Sequence, residues 1–138
     1  MTPRRKSEST IAPGSAAEWL AHARSDLNLA KLARNRADIL PNQVCFHAQQ
    51  AAEKAAKAVL LHCKIDFPLI HDIDALLEIA VNSGVSVPDS LRDAGALTPY
   101  AVESRYPGTW DEVLPDDVTE ALRLAEAMLN WATSVTSA

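Results

Sequence analysis

Residues 41–63 decide the fold: Pro41-Asn42-Gln43-Val44-Cys45-Phe46-His47-Ala48-Gln49-Gln50-Ala51-Ala52-Glu53-Lys54-Ala55-Ala56-Lys57-Ala58-Val59-Leu60-Leu61-His62-Cys63. Proline suits the first turn of a helix, where its missing N–H has no partner to lose. From there Val44, Ala48, Ala51, Ala55, Ala58 and Val59 fall on one narrow stripe of small residues. His47, Gln50, Lys54 and Lys57 stand opposite, at spacings of three and four that put them on one polar face. Phe46, Leu60 and Leu61 lie away from the alanine stripe. A helix apolar on more than one side is buried on more than one side. The segment therefore reads as the central helix of the domain, with a dimer contact as a further use of its second apolar side.

On its N-terminal side, the spacing of Trp19, Ala23, Leu27, Ala30 and Ala33 predicts a first helix from about Ser15 to Ala37. Asp26 falls inside that apolar face. A buried carboxylate needs hydrogen bonds or a cation, so Asp26 predicts a partner on another helix, either as a structural ion pair or within a site. Residues 1–14 carry Arg4, Arg5, Lys6, Ser, Thr, Pro13 and Gly14, and read as a disordered basic and polar tail to a single domain over 15–138.

On the C-terminal side, Phe67-Pro68 marks a connection and Asp72 is placed to N-cap a short third helix with Leu76, Leu77 and Ala80, stopped by Gly84. Pro88 opens the next helical stretch, with Leu91 and Leu97 inward. Pro99 removes one hydrogen bond and clashes with the turn before it, so a kink or break is expected there, followed by a helical piece from Tyr100 to Ser104. Pro107-Gly108 ends that piece. The last helix is expected near Asp116 or Asp117, with Asp117 and Glu120 spaced as a capping box. Val118, Ala121, Leu122, Ala125, Met128, Leu129 and Ala132 make its core face, while Leu124 and Trp131 project toward a second surface.

The bulk composition agrees with an all-α chain. Of 138 residues 48% are hydrophobic, much of that alanine, and aromatics are only 5%. Alanine favours helices, and no run of alternating β-branched residues argues for strands. A net charge of −5 gives no general field for nucleic acid, though it leaves room for a local basic pocket. Cys45 and Cys63 lie about 27 Å apart along one helix and read as free, packed thiols. No apolar segment follows the basic N-terminus, and none reaches the length of a membrane span, so a cytoplasmic protein is expected. No His or Cys pair has the spacing of a closed metal site, and no Gly-rich phosphate loop is present, so neither metal nor cofactor is expected.

Three segments stand together in this order: Phe46-His47-Ala48-Gln49-Gln50-Ala51-Ala52-Glu53-Lys54-Ala55-Ala56-Lys57-Ala58, then His71-Asp72 before a helix, then Tyr100-Ala101-Val102-Glu103-Ser104-Arg105-Tyr106-Pro107-Gly108. With Asp26 on the first helix, they resemble the HEPN domain (higher eukaryotes and prokaryotes nucleotide-binding) over about residues 16 to 134. The resemblance implies an up-and-down bundle of about five helices that pairs as a homodimer around a shared cleft. It also implies a separately encoded minimal nucleotidyltransferase as partner, often as toxin and antitoxin. Many relatives are metal-independent RNases whose signature is Arg, four to six residues, then His. Here the positions that would hold the histidine after Arg105 are Trp110, Asp111 and Glu112.

Metal-free RNA cleavage needs a base for the 2′-hydroxyl, an acid for the leaving oxygen and a cation for the phosphorane. Arg105 can supply the cation, and His47 or His71 would have to supply the base. Lys54, Gln50, Lys57, His71 and Tyr106 are the candidate nucleotide or RNA contacts, with Asp26 and Glu53 as structural polar groups. Each also has a plain reading: Arg105 as a helix-end ion pair, Tyr106 as a packed ring, His71 as a helix-start residue, the lysines as a solvated or dimer-facing stripe. Three roles follow for the chain. It is a nucleotide- or RNA-associating partner of a nucleotidyltransferase, an RNase toxin with a rearranged site, or a structural dimerisation bundle.

Overall fold

In the computed structural model the described residues are 14–101 and 112–137. They form α1 (Ala16–Ala33), α2 (Pro41–His62), α3 (Ile73–Asn82), two 3₁₀ segments (Asp89–Leu91 and Ala94–Ala101) and α4 (Pro115–Thr136). No strand occurs among the described residues. The tail expected over 1–14 falls, Gly14 apart, outside them, as do Arg105, Tyr106 and the residues just after Ala101.

Helix α2 holds the centre. It packs against α1, α3, α4 and the second 3₁₀ segment, most extensively against α1 and α4. Its alanines 48, 51, 52, 55, 56 and 58 are all buried, and Val44, Val59 and Leu60 with them. Small side chains let neighbouring helix axes approach closely, the lower end of a spacing of roughly 8–10 Å. Trp19 meets Lys57 near one end of the pair while Asp26 meets His47 further along, so α1 and α2 run antiparallel. Lys31–Glu126 and Arg24–Thr133 set α1 antiparallel to α4 in the same way.

Ends follow the sequence closely in some places and depart from it in others. Ser15 caps α1, accepting from Glu18 N–H while Glu18 accepts from Ser15 N–H. The helix stops at Ala33 rather than Ala37, because Arg36 N–H turns back to the Ala33 carbonyl and the Arg36 side chain pairs with Asp38. Asp72 caps α3 as expected, accepting from Ala75 N–H at 3.1 Å. Gly84, at φ +90°, ends α3: its N–H reaches the Val81 carbonyl and Val85 N–H the Ala80 carbonyl. The same closing pattern ends α2, with Lys64 in the left-handed position at φ +58°.

Two further expectations about the elements need correction. The stretch opened by Pro88 is helical as read but winds as two 3₁₀ segments, with Pro99 inside the second. The expectation of a break at Pro99 gives way to a tighter turn that lacks the i−4 bond proline would disrupt. Leu91 and Leu97 point inward as read. Helix α4 begins at Pro115, and Asp117 is its third residue rather than its cap, accepting from Leu114 N–H at 2.8 Å. Glu120 then pairs with Arg123 instead of closing a capping box. Leu124 and Trp131 do meet a second surface: both are buried, and the indole N–H of Trp131 donates to the Ser86 carbonyl at 3.0 Å.

Cys45 is fully buried and Cys63 half-buried, both free. Burial pushes the Cys45 thiol up to about 11, with the Asp117 charge adding to it and a hydrogen bond with Tyr100 working against it. The Tyr100 hydroxyl is raised in turn, first by burial. A thiol whose folded value lies above its unfolded one (about 8.5) stabilises the fold fully below the unfolded value and loses that contribution as pH rises toward the folded one. Urea midpoints should therefore fall between about pH 8.5 and 11 in wild type, and fall less in Cys45→Ala; equal slopes would place the thiol in contact with water.

Candidate functional site

Three polar side chains are buried among the described residues: Gln49, Glu53 and Lys57. All lie on α2 at helical spacing of four, so their neighbourhood is fixed by one helix turn after another. The Glu53 carboxylate is the hub. Oε2 accepts from Lys57 Nζ at 3.0 Å, and Oε1 accepts from Gln49 Nε2 at 2.9 Å. His71 Nδ1 lies 3.0 Å from Oε1 and 3.1 Å from Oε2. Glu53 and Lys57 side chains are each only 5% exposed, whereas His71 is 64% exposed. Glu53 thus reaches out from the core to hold one edge of an imidazole that faces solvent.

A second carboxylate organises the next stretch of α2. Asp26, on α1 and 15% exposed, contacts Lys54 Nζ at 2.6 Å through Oδ2 and His47 Nδ1 at 3.3 Å through Oδ1. An aspartate on this apolar face requires a partner, and α2 provides two. Phe46 meets the His47 ring edge-on, with centroids 5.2 Å apart. Gln50 extends the Glu53 cluster, donating to Gln49 Oε1 at 2.6 Å. A carboxylate on Nδ1 fixes the orientation of each imidazole ring.

Beyond Lys54 the network borders a hollow of about 210 Å³ lined by Gly14, Glu18, Trp19, His22 and Lys54. Lys57 Nζ sits 5.7 Å from the centroid of the Trp19 ring, a cation–π distance.

The residues singled out by sequence separate as follows. His47, Gln50 and Lys54 share a partly buried face, and Asp26 joins them. Lys57 is not on a solvated stripe: it is buried and ion-paired, and so is Glu53. His71 is tied to Glu53 while Asp72 beside it caps α3. Arg105 and Tyr106 lie outside the described residues. Sequence reasoning misses Gln49 and Trp19. The run Gln49, Glu53, Lys57 at intervals of four is the available signal for the first. Trp19 reads in sequence as a core residue, and nothing in its spacing distinguishes a core indole from one at the mouth of a hollow. Among the described residues no three His, Cys, Asp or Glu gather to hold a metal ion. No described helix is long and apolar enough to cross a membrane.

An all-helical bundle whose polar groups cluster along one central helix is the class the structure defines. The HEPN domain model matches residues 16–135, so the chain belongs to the HEPN domain family. Among solved structures, TT1696 from Thermus thermophilus is 31% identical with a TM-score of 0.75, the match covering 87% of this chain and 97% of that one. ST0689, an archaeal HEPN homologue, is 27% identical with a TM-score of 0.70, covering 88% and 98%. No curated protein matches the chain.

Removing one member of a buried ion pair strands the other charge, whereas replacing both by apolar groups is often tolerated. Glu53→Ala should thus lose about 3–5 kcal/mol in chemical denaturation, and Glu53→Leu with Lys57→Met much less. A double variant as damaged as the single one would show that the pair contributes through its packing instead.

Proposed function

We propose that this HEPN protein associates with nucleotides or RNA as the partner of a separately encoded minimal nucleotidyltransferase, in a toxin–antitoxin-like module. In this reading it acts as a cytoplasmic homodimer. The observation that carries the reading is the polar network along α2 and its neighbours, where Asp26 holds His47 and Lys54, Glu53 holds His71, and Lys54 borders a hollow. Groups held in place before a ligand arrives lose little freedom on binding, and that is what a recognition surface requires. Lys54 keeps two ammonium protons beyond the one Asp26 takes, enough to meet a phosphate as a point charge. Arg105 would add a forked guanidinium for the same phosphate.

A second reading, a metal-independent RNase with a rearranged site, is favoured by the Glu53–His71 contact. A carboxylate on Nδ1 orients the imidazole so that the exposed Nε2 can accept the proton of a 2′-hydroxyl, the work the displaced family histidine would do.

One experiment addresses both. Labelled tRNA and nucleoside triphosphates are titrated in chelator against wild type, Arg105→Ala and His71→Ala, with a cognate transferase offered in parallel. Association weakened roughly tenfold or more by Arg105→Ala supports the first reading. Cleavage by wild type that His71→Ala abolishes puts the second in front. A dimer that binds no RNA, no nucleotide and no transferase would end the proposal.

A further inference from the structure

We infer that the hollow between α1 and α2 is a base-stacking subsite for a nucleobase carrying a phosphate. The inference rests on the nucleotide- or RNA-associating reading and names where and how the base is held. At about 210 Å³ the hollow falls below the roughly 300–1,000 Å³ of sites for drug-sized ligands, so it suits one ring system rather than a length of strand.

Its walls supply the three contacts such a ligand needs. Trp19 offers an aromatic surface, and stacking against an indole accepts any base because every base has a π-face. The indole is held from within: Lys57 lies against the ring, and Glu53 holds Lys57 inside the core. It is a wall anchored to the buried ion pair. Lys54, 24% exposed, and the exposed His22 offer donors for a phosphate, with Asp26 taking only one of the lysine's three protons. Glu18 offers acceptor oxygens suited to an exocyclic amino group, and is itself placed by the N-terminal box of α1.

Gly14 completes the rim. Its φ of +96° is a left-handed conformation, and a Cβ there would lie 3.3 Å from Trp19 Nε1. Glycine leaves the mouth of the hollow open where any other residue would press on the indole edge.

The test uses the full chain. Adenosine monophosphate, ribose 5-phosphate and a short single-stranded RNA are each titrated by calorimetry into wild type, Trp19→Leu and His22→Glu. Because His22 is exposed, His22→Glu keeps the test valid where Trp19→Leu fails to fold, as judged by circular dichroism. The subsite predicts that Trp19→Leu weakens the base-bearing ligand at least about fivefold. It also predicts that His22→Glu weakens it by setting a negative charge beside the phosphate, and that ribose 5-phosphate binds worse than the nucleotide. If the monophosphate shows these losses, the source is a free nucleotide; if only the RNA shows them, it is an RNA end. Ribose 5-phosphate binding as tightly as the nucleotide would overturn stacking. RNA binding untouched by both variants would overturn the subsite while leaving the broader function standing, and no binding of any ligand by wild type would remove both.

Discussion

A carboxylate buried inside a helical bundle is the constraint on which the rest of this structure depends. Glu53 is 4% exposed at the middle of the helix around which the bundle is built. An ionised group there is costly unless each oxygen is satisfied, and here Gln49, Lys57 and His71 satisfy them. Meeting that demand fixes more than one side chain. It draws Lys57 inward against Trp19 on α1, and it ties the loop before α3 to α2 through His71. Asp26 repeats the device from the other helix and closes the α1–α2 seam.

Most of the fold is legible in the chain because its signals are periodic. The alanine stripe of 48, 51, 55 and 58 marks a helix packed closely by its neighbours, and that helix is central. Ser15, Asp72 and Gly84 act through local backbone chemistry, which sequence states directly. The region after Pro88 is harder to read. Leu91 and Leu97 give the inward side, yet whether a short proline-bearing stretch winds as α or 3₁₀ depends on the packing around it. The start of α4 is displaced for a related reason: an acid at the third helical position and an acid at the cap look alike in sequence.

The site is half legible. Asp26 on an apolar face announces a partner because burial of an unpaired charge is so unfavourable. That Lys57 turns inward rather than lying with Lys54 nearer solvent cannot be seen in sequence, since a lysine stem can cover apolar surface in either direction. Part of the resemblance and part of the described geometry meet on α2, where His47 and Lys54 are held by Asp26 and Glu53 holds His71 from the loop before α3.

The central claim is that this face and the hollow beside it are where a nucleotide or RNA end is met. The most direct measurement is a heteronuclear NMR titration of the labelled full chain with a short single-stranded RNA. The account predicts shifts at the Trp19 indole N–H and at the amides of Glu18, His22, Gln50 and Lys54. Shifts confined to the outward side of α1, around the exposed Leu29 and Leu32, with the indole unmoved, would contradict it.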